Sequence, residues 1–231
     1  MNVSDPNILA LEQVAVQLGD LRDELVLVGG CSIGLLITDI ASPPVRQTID
    51  VDLVAEVTTV GAYYALCGRL EARGFHPSPA AEHMCRWMKG PLQLDIMPSD
   101  ASVLGHSTNR WYGHAVRSAW RTTLRNGVTV LVASPALLLA TKLEAFHGRG
   151  EGDFGHHDIE DIINLVDGRP ELGAEVDAAE GDVREYLRQE FDDLLANPRF
   201  VDTIPMHLRG DATSQARAGI ILDRLRRLAG L

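Results

Sequence analysis

The segment Thr48-Ile49-Asp50-Val51-Asp52-Leu53-Val54 decides the interpretation of the fold, because it places two carboxylates in an apolar, β-branched run. Side chains alternate between the two faces of a strand, so Asp50 and Asp52 share one face, about 6.5–7 Å apart along the chain. Two like charges flanked by apolar residues are costly unless a positive group lies between or in front of them. A pair of divalent metal ions would supply that charge. The alternative is an edge strand whose polar face contacts water.

A third carboxylate occurs in a later segment of the same kind. Asp95 is the only charged residue of Leu92–Met97, which forms a predicted hairpin with Cys85–Met88 across Lys89-Gly90-Pro91. If this strand neighbours the Asp-x-Asp strand, three carboxylates converge, two of them as metal ligands and the third as ligand and general base. The alternative for Asp95 is an isolated charge at the edge of a sheet.

Two glycines, Gly29 and Gly30, follow the predicted buried strand Glu24–Val28 and precede a predicted helix over Cys31–Asp39. Glycines let the backbone approach a ligand closely, and a helix N-terminus presents free N–H groups. This arrangement favours an anion site, to which Ser32 would add a hydroxyl. It is neither a Walker loop nor the Gly-x-Gly-x-x-Gly motif of dinucleotide folds. The alternative is an ordinary tight turn.

The surrounding pattern predicts an α+β fold with a mixed sheet and flanking helices, followed by a helical C-terminal part. Asn126-Gly127 predicts a second hairpin, which leads into a strand over Val128–Ala133. The chain of 231 residues is long for one α/β domain and short for two. We therefore expect a core over residues 1–134 and a helical region over residues 135–231. The helices predicted in that region are Pro135–His147, Asp158–Asp167, Ala178–Leu195 and Ala212–Leu228.

The charge of the chain is unevenly distributed. With 21 Lys+Arg against 32 Asp+Glu the net charge is −11, which argues against unspecific coating of nucleic acid. Ala101–Leu143 nevertheless contains no Asp or Glu, and aromatic residues are interleaved with its cations. That combination suits phosphate contacts and base stacking on a single-stranded RNA end. The alternative is an exposed hairpin whose arginines pair with acids elsewhere. The candidate RNA-binding residues are Arg110, Arg117, Arg121 and Arg125.

The location expected from the sequence is the cytoplasm, without membrane contact. The most apolar runs are interrupted by glycine or proline before they reach the roughly 18 residues that a membrane span needs. The N-terminus shows no signal-like apolar segment. The three cysteines have no metal-binding spacing, and we expect them to be reduced residues of the core.

The order of these motifs resembles that of the DNA polymerase β-like nucleotidyltransferases. Arg46–Asp52 is similar to the metal motif of that superfamily. Thr141–Phe146 and His157–Ile162 resemble the downstream Lys and Asp motifs of the AbiEii/AbiGii-type toxin nucleotidyltransferases. The resemblance covers roughly residues 25–167. The chain departs from it in the extended Gly148–Asp153 loop and in a small C-terminal region.

The resemblance implies transfer of a nucleoside monophosphate from an NTP to an acceptor hydroxyl, with release of pyrophosphate. The acceptor would be RNA, for example tRNA, and the protein would be the toxin of a toxin–antitoxin pair with a cognate antitoxin. Asp50 and Asp52 would hold Mg²⁺, with Mn²⁺ as the other candidate ion. Asp95 would complete a second metal site and help to deprotonate the acceptor, and Lys142 would be the fourth catalytic residue. The implied nucleotide-binding residues are Gly29, Gly30, Ser32, Arg46, Thr48, Lys142, Asp158 and Asp161.

Several alternatives remain open at this point. Lys142 could be a surface lysine that extends along apolar neighbours, and Asp158 could be an acid of the first helical turn placed by the helix dipole. The same metal site would also serve a small-molecule nucleotidyltransferase, such as one that modifies an antibiotic hydroxyl. A third option is a binding module that keeps the fold without catalysis.

Overall fold

The computed structural model describes residues 5–79, 84–103 and 109–231, and within these ranges the chain combines a mixed sheet with many helices. The strands are β1 (Leu25–Leu27), β2 (Val51–Ala55), β3 (His76–Pro77), β4 (Arg86–Lys89), β5 (Leu92–Pro98), β6 (Trp120–Thr123) and β7 (Thr129–Val132). The helices are α1 (Ile8–Leu18), α2 (Ile33–Leu36), α3 (Val60–Glu71), α4 (Tyr112–Arg117), α5 (Pro135–Arg149), α6 (His157–Gly168), α7 (Leu172–Asp177), α8 (Gly181–Ala196), α9 (Pro198–Thr203), α10 (Ala212–Gln215) and α11 (Ala218–Ala229). The predicted fold class, a mixed sheet with helices and a helical C-terminal part, is confirmed.

Among the described residues, the strands form one sheet in the order β3-β4-β5-β2-β1-β7-β6. The pairs β2·β5 and β1·β7 are parallel, and the remaining neighbours are antiparallel. Both predicted hairpins are confirmed, β4–β5 across Gly90-Pro91 and β6–β7 across the loop that holds Asn126-Gly127. β2 and β5, which carry Asp52 and Asp95, are therefore direct neighbours in the middle of the sheet.

β2 is polar only at its N-terminal end. Val51, Leu53 and Val54 are buried, whereas Asp52 is half-buried. Burial on both faces is expected for a strand in the middle of a sheet with helices packed against it. The strand therefore presents a carboxylate at one end and is embedded in the apolar core along the rest of its length.

The chain divides into two compact units. We call residues Asp5–Gly34 and Arg46–Ser134 the sheet unit, and Leu35–Val45 with Pro135–Leu231 the helical unit. The domain division at residue 134 stays a prediction, but the segment Leu35–Val45 packs with helices that follow that position.

Main-chain hydrogen bonds fix Leu35–Val45 within the helical unit. The amides of Thr38 and Asp39 both donate to the carbonyl of Gly168, at 2.9 and 3.0 Å. Because these amides are used by another segment, they are not available to continue α2, which ends at Leu36. The helix predicted over Cys31–Asp39 was therefore wrong in length; a 3-10 turn and four α-helical residues occupy its place.

The predicted helix Ala212–Leu228 was wrong in its continuity. α10 ends at Gln215, and α11 begins at Ala218. Between them, Arg217 Nε donates to both carboxylate oxygens of buried Asp167, at 2.7 and 2.9 Å. A break that turns this arginine toward a buried acid cannot be read from the apolar periodicity of the segment.

Within the part of the chain that the structure describes, every helix is too short or too polar to cross a bilayer.

Candidate active site

The sheet unit brings the three predicted metal-binding aspartates together. Asp52 and Asp95 lie opposite each other on the parallel strands β2 and β5, and Asp50 immediately precedes β2. Each residue offers a carboxylate oxygen, and these oxygens all lie within 4.8 Å of one another. Asp95 is 6% exposed, whereas Asp50 and Asp52 are half-buried. Their predicted role as metal ligands stays a prediction, but the geometry it requires is present.

Arg86 also belongs to this cluster, although the sequence interpretation did not include it. It lies opposite Asp95 on β4, with Nε 2.7 Å from Oδ1 and Nη2 2.5 Å from Oδ2. The same Nη2 lies 3.1 Å from Asp50 Oδ2. The hydrogen bond to Asp95 raises the pKa of the Arg86 guanidinium above its usual range, so the residue stays charged. A signal was available, because the predicted hairpin places an arginine of one apolar strand beside the aspartate of the other.

A glycine is required at position 29, just after β1, because the Asp52 side chain lies against the backbone there. A Cβ at position 29 would lie 1.8 Å from Asp52 Oδ2, so a side chain there would displace the carboxylate. A main-chain hydrogen bond joins the same two segments, because the Val28 amide donates to the Asp52 carbonyl at 3.1 Å. The glycine was predicted to give a ligand access to the backbone; the space it leaves is filled by the Asp52 carboxylate.

Gly30 and Ser32 form the 3-10 turn that follows. Ser32 is fully buried, and its hydroxyl donates to the Gly29 carbonyl at 2.7 Å, so it holds the shape of the turn. Because α2 contains four residues, its dipole is much weaker than that of the longer helix expected from the sequence. Phosphate contacts by these residues stay predictions.

A buried asparagine, Asn7, fastens the segment that enters β2. Its Oδ1 accepts from the Thr48 amide at 2.9 Å, and its Nδ2 donates to the Arg46 carbonyl at 3.0 Å. These bonds fix the backbone just ahead of the Asp-x-Asp motif. The sequence interpretation missed Asn7, since nothing in its local pattern connects it with a segment some forty residues later. The nucleotide-binding roles of Arg46 and Thr48 stay predictions.

Lys142, Asp158 and Asp161 form a cluster within the helical unit. Lys142 Nζ, on α5, lies 3.1 Å from Asp158 Oδ1 and 2.7 Å from Asp161 Oδ2, both on α6. All three residues are buried, so Lys142 does not extend along the surface as the alternative interpretation had it. The ion pairs explain how a lysine is tolerated in an apolar helix. Nucleotide binding by the three residues stays a prediction.

Asp158 is the most strongly bound carboxylate of this cluster. Arg149 binds it with two hydrogen bonds, Nε to Oδ2 and Nη2 to Oδ1, both 2.8 Å long. Burial acts to raise the pKa of Asp158, but the hydrogen bonds from Arg149 and the charge of Lys142 outweigh it and lower the pKa to about 2. His156, His157 and Asp158 each offer one potential ligand atom, and these atoms lie within 4.8 Å of one another. A metal ion there would face the repulsion of two cations already bound to the same carboxylate.

The predicted RNA-binding arginines are exposed in the sheet unit. Trp111, however, is buried, with the Arg110 guanidinium 5.1 Å from its ring centre, so it does not offer a stacking surface to a base. Trp120 is 38% exposed. Arg121 lies 4.0 Å from Asp23, a weak surface pair. The exposed arginines are Arg110, Arg117, Arg121 and Arg125. RNA binding by them stays a prediction.

Comparison with known proteins supports the fold. No protein-family model matches the sequence, and no curated protein matches it either. An antigenic nucleotidyltransferase-like protein from Paracoccidioides brasiliensis is similar in structure, with 20% identity, a TM-score of 0.50, and coverage of 87% of this chain and 93% of its own. The fold is nucleotidyltransferase-like. JHP933 from Helicobacter pylori aligns over 97% of this chain and 91% of its own with 14% identity, but its TM-score of 0.47 is too low to support an inference.

The low pKa of Asp158 predicts an acid-dependent loss of stability. Because its pKa falls from 3.8 to about 2 on folding, its contribution is fully present above about pH 4 and is lost as the pH falls through 2. That contribution is about 2 kcal/mol in total, of which about 1 kcal/mol is lost by pH 3. Urea unfolding of the wild type and of Asp158→Asn at pH 5 and pH 3 measures this loss. Between these two pH values, the free energy of unfolding should fall by about 1 kcal/mol more for the wild type than for the variant.

The matched control is Asp202→Asn, which removes an exposed acid of α9. It should keep the wild-type pH dependence. If Asp158→Asn loses as much stability between pH 5 and pH 3 as the wild type does, the ion-pair account of Asp158 is wrong.

Proposed function

We propose that this protein is a metal-dependent nucleotidyltransferase that transfers a nucleoside monophosphate from an NTP to an acceptor hydroxyl. The observation that carries the proposal is that carboxylate oxygens of Asp50, just ahead of β2, of Asp52 on β2 and of Asp95 on β5 lie within 4.8 Å of one another in a nucleotidyltransferase-like fold. Fold alone does not define activity, so the proposal rests on the residues of this site.

The donor set fits a hard divalent cation. Carboxylate oxygens are the ligands that Mg²⁺ and Mn²⁺ prefer, and the half-buried Asp50 and Asp52 can reach both ion and solvent. The space at Gly29 that a Cβ would fill lets the Asp52 carboxylate sit against the backbone. We therefore assign Mg²⁺ to Asp50 and Asp52, with Asp95 as the third acid of the site.

Bound Mg²⁺ would supply charge neutralisation for the triphosphate and its pyrophosphate leaving group. The protein's part is to hold the carboxylates in place before substrate arrives. The Val28 amide fixes the Asp52 main chain, Asn7 fixes the preceding segment, and Arg86 fixes Asp95. Such preorganisation contributes to catalysis because the site need not rearrange during the reaction.

We propose RNA as the acceptor and a toxin role with a cognate antitoxin. The exposed arginines of Ala101–Leu143, the segment without Asp or Glu, support the RNA assignment because guanidinium groups bind phosphates. Trp120, which is exposed, can stack on a base. The toxin role rests on the family resemblance of the sequence motifs.

Incubation with total RNA and each of the four α-labelled NTPs tests the activity. In the presence of MgCl₂ we expect at least one of the four NTPs to label tRNA-sized RNA. EDTA should abolish this labelling. Asp52→Asn should lower the rate at least about 100-fold, because it removes a charged ligand of the metal.

Asp202→Asn serves as the control, because it makes the same chemical change at an exposed position of the helical unit. Its rate should equal that of the wild type. The proposed activity is contradicted if no NTP is incorporated with either Mg²⁺ or Mn²⁺, or if Asp52→Asn is as active as the wild type.

Charge reversal tests the RNA acceptor separately. The double variant Arg117→Glu, Arg121→Glu should label RNA at least about tenfold more slowly and lose part of the salt dependence of binding, since both residues would contact phosphates. Unchanged labelling would contradict RNA binding by this face. Metal-dependent NTP turnover without any labelled RNA would favour a small-molecule acceptor.

A further inference from the structure

The helical unit contains a pocket of about 380 Å³, lined by α7 with the residues just before it and by the C-terminal half of α11. This volume lies near the lower end of the range of small-molecule sites, so the pocket suits one small molecule rather than a polymer. Its lining combines cations with apolar side chains, among them Arg169, Arg224, Arg227, Pro170, Leu172 and Leu228.

Arg227 brings to this pocket a positive charge that is available to a ligand. It is exposed, and it has no hydrogen-bond or ion-pair partner among the residues that the structure describes. Arg226, its neighbour on α11, is not a lining residue and lies 3.2 Å from Asp223 instead. The two adjacent arginines therefore differ in their surroundings, and only Arg227 can meet an anion in the pocket.

Arg224 adds hydrogen-bond donors to the same pocket. Its hydrogen bonds to described residues all come from Nη1, which donates to the Val166 carbonyl at 2.9 Å and to the Asp167 carbonyl. These two carbonyls fix the position of the guanidinium before any ligand arrives. Nε and Nη2 remain for an acceptor outside the described protein groups, and a phosphate oxygen is such an acceptor.

Two acids at the pocket are already bound by arginines. Asp177 lines the pocket, and its Oδ1 lies 2.9 Å from Arg188 Nη2. Glu175, on the same helix, accepts two hydrogen bonds of 2.6 Å from Arg169. Neither carboxylate is therefore an uncompensated negative charge that would repel an anion.

We propose that this pocket binds a nucleoside monophosphate, with the phosphate at Arg224 and Arg227 and the base against the apolar lining. Arginine suits the phosphate because it is always charged and its fork of donors matches the phosphate oxygens. Apolar side chains and guanidinium planes suit the flat faces of a base. The inference does not depend on the proposed function, since the three aspartates of that site belong to the sheet unit.

Isothermal titration calorimetry with each of the four nucleoside monophosphates tests this inference. EDTA in the buffer removes binding that a divalent ion would mediate. At least one nucleoside monophosphate should bind at one site per chain, at least about tenfold more tightly than inorganic phosphate, because the apolar lining contributes to the affinity. Arg227→Gln should weaken this binding at least about tenfold, because it removes a charge-assisted contact with the phosphate.

A second variant blocks the pocket without removing an arginine. A Cβ at Gly173, a lining residue, would meet just one described atom, Arg227 Cβ at 4.0 Å, so the position accommodates a side chain. Gly173→Glu places a carboxylate beside Arg227 and should also weaken binding at least about tenfold. Arg226→Gln is the matched control, because it removes the same charge from the same helix outside the pocket. It should bind within about twofold of the wild type.

Thermal unfolding followed by circular dichroism shows whether each variant is folded. The inference is overturned if no nucleoside monophosphate binds the wild type, or if inorganic phosphate binds as tightly. It is also overturned if folded Arg227→Gln and Gly173→Glu bind like the wild type, or if Arg226→Gln loses as much affinity as Arg227→Gln. Binding of single-stranded RNA alone, weakened by Arg227→Gln, would replace the mononucleotide by a polymer. The proposed metal-dependent transfer stands or falls separately from all of these results.

Discussion

The main constraint on the candidate active site is the mutual repulsion of three carboxylates that each place one oxygen within 4.8 Å of the others. Parallel pairing of β2 with β5 forces Asp52 and Asp95 into opposite positions, and the start of β2 adds Asp50. Such a cluster is unstable without nearby positive charge. Arg86 supplies part of that charge, and under the proposed function a bound divalent ion would supply more.

Neighbouring residues fit this requirement. Position 29 has no side chain because a Cβ would collide with the Asp52 carboxylate. The tight β4–β5 connection sets the register that places Arg86 opposite Asp95. Asn7 holds the chain as it enters β2. Each of these features helps to set the position of a charged group of the site.

The sequence predicts a large part of this arrangement, because two simple periodicities carry it. Alternation along a strand places Asp50 and Asp52 on one face, and the lone acid of the next apolar hairpin identifies Asp95. The fold class follows from the same strands and from the helical pattern after residue 134. Arg86 could also have been found, since the hairpin register is determined by the turn at Lys89-Gly90-Pro91.

Other features depend on contacts between distant segments. The helix after Gly30 is short because the amides of Thr38 and Asp39 bind the Gly168 carbonyl, and no local pattern reveals that partner. Lys142 is a charged residue in an apolar helix, and its charge partners, Asp158 and Asp161, lie on a different helix. A sequence motif can therefore mark residues that belong together without showing whether they bind a ligand or one another.

Locating the metal directly is the most decisive measurement. In crystals soaked in MnCl₂, an anomalous difference map should show a strong peak at coordination distance from carboxylate oxygens of both Asp50 and Asp52. The absence of any peak at these carboxylates, in crystals whose other Mn²⁺ sites are occupied, would contradict the account.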